Sequence, residues 1–221
     1  MFLNVNGISM YYEQTGAGRP LIMVHGNGED HTIFNEAAAV LKDHFTVYAV
    51  DSRDHGLSSK VNGLHYLDMA EDLLAFMQAL DLRNIVFYGF SDGGILGLMC
   101  ASKTNRIAKL IISGANMTPN GVKKHMKLIV QGFYFFSKDQ QLKMMLEEPD
   151  LSAQQLNHIQ CDTTVLVGSK DLVTKEETRI ISNSIPHAKL RVLEGEGHGS
   201  YIVHSTKIAD LILEETEQYR P

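Results

Sequence analysis

Hydrophobic positions along the chain follow two different periods, one typical of strands and one typical of helices. Short apolar runs rich in β-branched and aromatic residues predict buried strands, and longer amphipathic stretches predict helices between them. The predicted strands are 20–24, 45–50, 84–88, 107–112, 163–168 and 189–193. The predicted helices include 33–41 and 67–80. Because strands and helices alternate, we expect an α/β fold with a doubly wound, mostly parallel sheet.

Residues 2–14 carry a different pattern. Two short strands, 2–5 and 9–14, flank the dipeptide Asn6-Gly7. Asn-Gly is a strong signal for a tight hairpin turn, because both residues tolerate positive φ angles. We therefore expect an N-terminal antiparallel hairpin before the parallel part of the sheet.

Length and charge limit the classes of protein to consider. The chain has 221 residues, which suits a single domain over 1–221 with a sizeable core. Its net charge is −6 and no basic stripe is present, which argues against a nucleic-acid partner. The N-terminal residues lack the pattern of a signal peptide, and no apolar run approaches the roughly 18 residues of a membrane span. We therefore expect a cytoplasmic protein.

The motifs of common cofactor sites are absent from the sequence. The glycine-rich run 195–199 follows the last predicted strand and has no βαβ unit after it, unlike a dinucleotide fingerprint. No Cys/His cluster has zinc spacing, and no H-E-x-x-H occurs. The two cysteines are too few for a disulfide scaffold. We predict neither a metal nor an organic cofactor.

The most informative motif is a G-x-S-x-G pattern centred on Ser91. It lies between the predicted strand 84–88 and an apolar run that predicts a helix. In that setting the serine occupies a sharp, strained turn that exposes its hydroxyl, and the flanking glycines allow the strand and the helix to approach closely. Ser91 is therefore the candidate nucleophile.

A serine nucleophile needs a base to take its proton and an acid to orient that base. Asp171 follows the strand 163–168, before a helix for which Thr174 and Glu177 predict a capping box. Asp162 is a rival acid by residue type, but it precedes the strand and lies at the wrong end. His198 lies in a glycine-rich loop after the last strand, which makes it the candidate base.

Two other histidines have different interpretations. His204 is expected in the final helix with a structural role. His25 lies in the loop His-Gly-Asn-Gly after the strand 20–24, where it is either a catalytic group or a residue that holds the loop. We prefer the second interpretation.

The developing oxyanion needs hydrogen-bond donors. One candidate is the main-chain N–H of Asp92, at the N-terminus of the helix that follows Ser91, where the helix dipole favours negative charge. The other is the main-chain N–H of Asn27, in the loop that begins with His25. We expect these two amides to form an oxyanion hole.

The order Ser91, Asp171, His198, with a His-Gly-Asn-Gly loop upstream, resembles the α/β-hydrolase superfamily over nearly the whole chain. Residues 50–58 are similar to the family's loop after strand 4, usually D-x-R-G-H-G-x-S, which braces the site. Asp54 stands where the family often has glycine, and we expect this departure to leave the chemistry untouched. By the same resemblance, the other polar residues of the loop are interpreted as structural. They are Asp51, Arg53 and Ser58.

The resemblance also predicts a lid. The stretch between Ser91 and Asp171 is shorter than in family members with a full helical lid, so we expect a reduced lid of two or three helices at about 114–161. Its methionine and aromatic residues either line an acyl pocket or pack the lid onto the core, and we favour packing for most of them. Its lysines are interpreted as a solvated helix face rather than an anion site. They are Lys123, Lys124 and Lys127.

These features predict a serine hydrolase that acts on a small carboxylic ester or related acyl substrate through an acyl-enzyme intermediate. The same three residues also serve hydrolysis of thioesters, amides or carbon–carbon bonds and peroxide-dependent halide oxidation, and the fold does not choose among them. Haloalkane dehalogenation is disfavoured, because that branch uses an aspartate where this chain has Ser91. A hypothesis from another class is a small-molecule sensor that keeps the fold with little turnover.

Overall fold

The computed structural model of the chain describes residues 1–217. Strands and helices alternate along most of this range, in the order that the hydrophobic pattern predicts. The strands are β1 (Phe2–Val5), β2 (Ile8–Thr15), β3 (Arg19–Val24), β4 (Phe45–Val50), β5 (Ile85–Phe90), β6 (Ile107–Ser113), β7 (Asp162–Gly168) and β8 (Ala188–Leu193). The α-helices are α1 (Asn35–Leu41), α2 (Tyr66–Ala79), α3 (Asp92–Ala101), α4 (Lys124–Ser137), α5 (Gln140–Glu147), α6 (Ala153–Leu156), α7 (Lys175–Ser184) and α8 (Lys207–Glu215).

The strands form one sheet in the order β1-β2-β4-β3-β5-β6-β7-β8. The pairs β1–β2 and β2–β4 are antiparallel, and the remaining neighbours are parallel. The predicted parallel sheet with an N-terminal hairpin is thus confirmed. Because β3 to β8 run in one direction, their carboxyl ends meet at one edge, which is where ligands bind in open α/β sheets.

Apolar side chains pack in two clusters, one on each face of the sheet. In β3, Ile22 and Val24 belong to the cluster that includes residues of α2 and α3. The alternate residues Leu21 and Met23 belong to the cluster that includes residues of α1 and α8. Since both faces are covered, the central strands are mostly apolar, and β5 is buried along its whole length, as its uninterrupted hydrophobic run predicts.

The segment between β6 and β7 contains α4, α5 and α6, within the range 114–161 predicted for a lid. Helix α4 has no fully buried residue, whereas α5 buries Met144 and α6 buries Leu156. The segment is therefore anchored through α5 and α6, and α4 lies on the outside.

The predicted helical placement of His204 is wrong. His204 has a φ of 48° and lies in a turn that precedes α8, which begins only at Lys207. The N–H of His204 donates to the carbonyl of Ile33 at 3.0 Å, and its side chain lies 3.4 Å from a carboxylate oxygen of Glu36. A tertiary contact with the residues around α1 therefore replaces the helical conformation.

The capping box predicted for α7 forms only in part. The side chain of Thr174 accepts the N–H of Glu177 at 3.2 Å, as an N-cap should. The Glu177 carboxylate does not return to the cap, because it accepts the N–H groups of Met117 and Thr118 at 2.6 and 3.2 Å. Glu177 thus ties the beginning of the 114–161 segment to α7.

The loop after β4 is held to the core by a buried ion pair. The Arg53 guanidinium donates two hydrogen bonds of 2.6 Å to the carboxylate of Asp72 in α2. Asp72 is fully buried and also accepts a hydrogen bond from the Asn6 side chain at 2.9 Å. In the same loop, the Ser58 hydroxyl donates to the carbonyl of Asp51 at 2.7 Å. These contacts fit the structural interpretation of the loop.

No helix among residues 1–217 combines the length and the apolar character that crossing a bilayer requires.

Replacing Arg53 by alanine should lower the free energy of unfolding by about 3–5 kcal/mol, because it leaves the Asp72 carboxylate buried without its cation. Urea unfolding followed by circular dichroism measures the change. The matched control is Arg83→Ala, which removes an exposed pair with Asp81 and should have no measurable effect. Equal behaviour of the two variants would contradict the buried-pair interpretation.

Candidate active site

The turn between β5 and α3 holds Ser91 in an unusual conformation. Its φ and ψ are 51° and −112°, outside the regions that residues with a side chain normally adopt. A Cβ on Gly89 would overlap the carbonyl of Gly93, and one on Gly93 would overlap the carbonyl of Val24. The two glycines of the motif therefore permit the tight packing that points the Ser91 side chain out of the sheet edge.

The three residues predicted as nucleophile, acid and base lie in one chain of contacts. His198 Nδ1 is 2.7 Å from Asp171 Oδ1, and His198 Nε2 is 3.2 Å from Ser91 Oγ. The Phe90 ring packs against the imidazole with centroids 5.0 Å apart. With the proton on Nδ1, the imidazole donates to Asp171 and its Nε2 accepts the Ser91 hydroxyl proton.

Asp171 is buried but remains suited to carry a negative charge. Burial alone would raise the pKa of its carboxyl, yet hydrogen bonds from His198 and from the N–H of Val173 outweigh burial and lower this pKa below its usual value. The Val173 N–H donates to Oδ1 at 2.9 Å. The ionised carboxylate therefore fixes the orientation and the tautomer of His198.

Gly114 is a site residue that the sequence analysis did not identify. It follows β6 with a φ of 63°, and a Cβ at this position would lie 2.6 Å from Cε1 of His198. Any side chain here would push the imidazole away from its two partners. The signal in the sequence is weak, since a glycine after a strand is also typical of an ordinary turn.

The two amides predicted as oxyanion donors lie on adjoining loops. The side-chain amide of Asn27 donates to Asp92 Oδ2 at 3.0 Å, so the loop after β3 is joined to the start of α3. The Tyr66 hydroxyl donates to Asp92 Oδ1 at 2.7 Å. Among residues 1–217, neither the Asn27 nor the Asp92 main-chain N–H is committed to a main-chain acceptor in a turn or loop.

His25 holds the loop that carries Asn27. Its Nδ1 lies 2.7 Å from the carbonyl of Gly26, and its Nε2 accepts the N–H of Ser52 at 3.1 Å. Burial, together with the nearby His55, lowers the pKa of His25 to about 4. Both ring nitrogens of the neutral imidazole are thus used within the protein, in agreement with the loop-holding interpretation.

A cavity of about 290 Å³ opens beside Ser91 and His198. The sheet edge contributes polar groups, and the 114–161 segment contributes mostly apolar side chains. From the segment come Asn116, Val122, Met126, Val130, Leu142, Met145 and Glu148. The cavity is therefore a small, largely apolar space with the Ser91 hydroxyl in its wall.

The surroundings of two carboxyl groups in this cavity, Glu29 and Asp92, change their pKa values. Burial raises the pKa of Asp92, although hydrogen bonds from Tyr66 and Asn27 oppose the shift. Burial likewise raises the pKa of Glu29, whose carboxylate accepts the N–H of Gly26 at 2.9 Å. Neither side chain was identified as a site residue from the sequence. The Asp92 side chain escaped because its partners, Asn27 and Tyr66, lie far from it in the chain.

The beginning of the 114–161 segment is attached to the loop that carries Asp171. The N–H of Lys123 donates to the carbonyl of Leu172 at 2.9 Å, and the N–H of Thr174 donates to the carbonyl of Gly121 at 2.8 Å. These bonds lie on either side of a bridge between Val122 and Val173. Residues 121–123 and the loop that carries Asp171 are thus held together by main-chain pairing.

Asp54, the departure from the family pattern, connects the loop after β4 to α5. Its φ is 64°, a region that favours glycine. Its carboxylate accepts the side-chain N–H of Gln140 at 2.9 Å, and its carbonyl accepts that of Gln141 at 3.0 Å. The departure therefore affects how the α5 end of the segment is held.

One group of potential metal ligands occurs among residues 1–217: Asp30, His31 and Asp51. Their polar atoms are largely used in local hydrogen bonds. Asp30 Oδ1 accepts both the N–H and the hydroxyl of Thr32, and Asp51 Oδ1 accepts the N–H of His31 and lies 2.8 Å from its Nδ1. The group is explained by loop packing, and we assign no metal to it.

Comparison with known proteins identifies the family. A family model described as the alpha/beta hydrolase fold matches residues 19–137, more than half of the chain. The chain belongs to the α/β-hydrolase family. This hydrolase is 26% identical to the AB hydrolase superfamily protein YisY of Bacillus subtilis, over 93% of this chain and 94% of YisY. It is 27% identical to the serine hydrolase BPHL of Homo sapiens, over 90% of this chain and 79% of BPHL.

Solved structures agree on the fold of this hydrolase. A thermophilic esterase from Thermogutta terrifontis superposes with a TM-score of 0.81 at 24% identity, with 100% of both chains covered. The esterase EaEST from Exiguobacterium antarcticum gives a TM-score of 0.81 at 23% identity, with 98% of both chains covered. At these identities the likeness concerns the fold.

The lowered pKa of His25 should make the protein less stable as the pH falls from about 6.5 towards 4. In this window His25 binds a proton in the unfolded state but not in the folded state. The free energy of unfolding therefore falls by at most about 1.4 kcal/mol for each pH unit. Urea unfolding at pH 7 and pH 5 measures it. The variant His25→Asn should show a smaller pH dependence, and the exposed control His44→Asn should match the unmodified protein. An unchanged slope in His25→Asn would contradict the assignment.

Proposed function

We propose that this hydrolase is a serine hydrolase that cleaves a small carboxylic ester or related acyl compound. The observation that carries the proposal is the chain of contacts from Asp171 through His198 to Ser91, at 2.7 and 3.2 Å, in the wall of the cavity. A base within reach of a serine hydroxyl, itself oriented by a buried carboxylate, is the arrangement that nucleophilic acyl transfer requires.

The proposed reaction has two halves. Ser91 Oγ attacks the acyl carbon while its proton passes to His198 Nε2, and the carbonyl π-electrons move onto oxygen. Collapse of this tetrahedral intermediate breaks the bond to the leaving alcohol, which takes the proton from His198. A water molecule then repeats the sequence on the acyl-enzyme, releases the carboxylic acid and restores Ser91. Asp171 stabilises the charged imidazole in both halves.

The proposed oxyanion donors are the main-chain N–H groups of Asn27 and Asp92. The bond between their side chains keeps the two amides in a fixed relation before substrate arrives. Donors that are already oriented stabilise the transition state without a further cost of reorganisation, and each is worth about 10²–10³ in turnover. Two such amides would account for a large part of the expected rate enhancement.

The cavity size favours a short acyl group. Its volume of about 290 Å³ lies at the lower limit of ordinary ligand pockets. Apolar side chains from the lid segment, such as Met126, Val130 and Leu142, suit an alkyl chain better than a charged group. Names of similar proteins, a serine hydrolase and an esterase among them, support the same class of reaction.

Ser91→Ala should reduce hydrolysis of p-nitrophenyl esters by about 10⁴-fold or more and leave the circular dichroism spectrum unchanged. In the unmodified protein, a fluorophosphonate probe followed by peptide mapping should label Ser91. Turnover should fall as the acyl chain lengthens beyond what the cavity holds. Unimpaired hydrolysis by Ser91→Ala, or a folded protein with neither labelling nor turnover, would contradict the proposal; the second result would favour a binding protein.

Gly114→Ala should lower kcat by about 10²-fold or more, because the added Cβ displaces the imidazole of His198. The matched control is Gly132→Ala in α4, where an added Cβ meets nothing within 4 Å. This control should keep its activity and gain roughly 0.5–1 kcal/mol in stability from the helix preference of alanine. Equal kcat values in the two variants would show that the space at Gly114 is not required.

A further inference from the structure

Helix α4 presents an apolar face to solvent, although apolar side chains normally lie inside a protein. Five large apolar side chains on this helix are between 48% and 85% exposed: Leu128, Ile129, Phe133, Phe135 and Phe136. Gly132 lies among them with nothing within 4 Å of its Cβ position. A contiguous exposed apolar surface of this kind is typical of a binding site for another molecule or for a membrane.

The formally charged side chains of α4 and of the residues that flank it, 123–138, are all positive. The segment 123–138 contains four lysines and no acidic residue, in a chain whose net charge is −6. Lys138 Nζ lies over the aromatic face, 5.0 Å from the ring centre of Phe135 and 5.3 Å from that of Tyr134. The following acid, Asp139, caps α5 by accepting the N–H groups of Gln141 and Leu142. The helix is thus amphipathic and locally basic on an otherwise acidic protein.

These properties favour an anionic membrane surface over a second copy of the chain. Two α4 faces brought together would set the lysines of both helices against each other, without an acidic side chain from either helix to pair with them. Anionic lipid headgroups supply the missing negative charge, and the acyl region next to them accepts the phenylalanine rings. The lysine stems are long enough to place their ammonium groups at the headgroups while the rings insert.

The opposite side of the same helix lines the candidate active site. Met126 and Val130 face the cavity beside Ser91, while Phe135 and Phe136 point to solvent. One helix therefore lies between the cavity and the exposed apolar face.

We infer that α4 docks this protein on an anionic lipid surface, so that the ester it cleaves is drawn from the bilayer. The substrate class that follows is a short acyl ester of a lipophilic alcohol, with the acyl group in the cavity and the alcohol in the membrane. The docking stands on the surface of α4 alone, and the substrate class rests on the proposed function.

The chain has no tryptophan, so a single Phe136→Trp substitution gives a fluorescence signal from this face only. Vesicles of phosphatidylcholine with phosphatidylglycerol should shift its emission to shorter wavelength, and salt should weaken the effect. The control is Phe2→Trp on β1, a residue that is 61% exposed in the native chain, whose emission should not shift. Equal shifts at both positions, or none at Phe136→Trp, would overturn the inference.

Sedimentation with the same vesicles separates the contributions of charge and apolar area. Lys124→Glu should weaken binding by about tenfold or more, whereas Lys42→Glu, the same change at an exposed remote lysine, should have little effect. Phe135→Ser/Phe136→Ser should lose binding but keep its turnover of a water-soluble ester. Equal binding to pure phosphatidylcholine vesicles, or self-association without vesicle binding, would contradict an anionic membrane as the partner.

Ser91→Ala distinguishes failure of this inference from failure of the proposed function. The variant should bind vesicles like the unmodified protein, since α4 is unchanged. If the unmodified protein binds vesicles but hydrolyses no ester, the result would count against the proposed function alone. Full turnover of a soluble ester without vesicle binding would count against the docking alone.

Discussion

The close contact between strand β5 and helix α3 is the constraint on which the candidate site depends. Gly89 and Gly93 allow the two elements to meet within the space that a Cβ would occupy, and the turn between them holds Ser91 at a positive φ. The Ser91 N–H donates to the carbonyl of Ser113 and the Gly93 N–H to that of His25, so neighbouring strands stabilise the strained turn. The same turn places the Asp92 amide beside the Ser91 hydroxyl.

Much of this arrangement is predictable because it is local in sequence. Ser91, Asp171 and His198 each follow a predicted strand, and parallel strands bring their carboxyl ends to one edge. Once the hydrophobic runs establish the strands, the three side chains are expected at the same edge of the sheet. The structural interpretation of the loop at residues 51–58 is also local in origin, since it rests on a run of consecutive residues that resembles the family loop bracing the site.

The parts that escaped prediction depend on contacts between distant segments. Gly114 makes room for His198, which lies far along the chain. The Glu177 carboxylate accepts main-chain amides of the 114–161 segment rather than completing its own helix cap. The side chain of Asp92 is satisfied by Asn27 and Tyr66, neither of which lies near it in sequence. The pattern of residue types indicates whether each position favours a helix or a strand. It does not indicate which distant residue a polar side chain will contact.

The pairing of residues 121–123 with the loop that carries Asp171 limits how this fold can diversify. An insertion that separates residues 121–123 from this loop would break the bonds of Gly121 and Lys123 and move the loop that carries Asp171. Within residues 1–217, the connection between α4 and α5, at Lys138 and Asp139, makes no main-chain hydrogen bond to the loop that carries Asp171. Longer versions of the 114–161 segment, whether evolved or engineered, are therefore best accommodated at that connection, where the cavity volume can change while the contacts among Ser91, His198 and Asp171 are preserved.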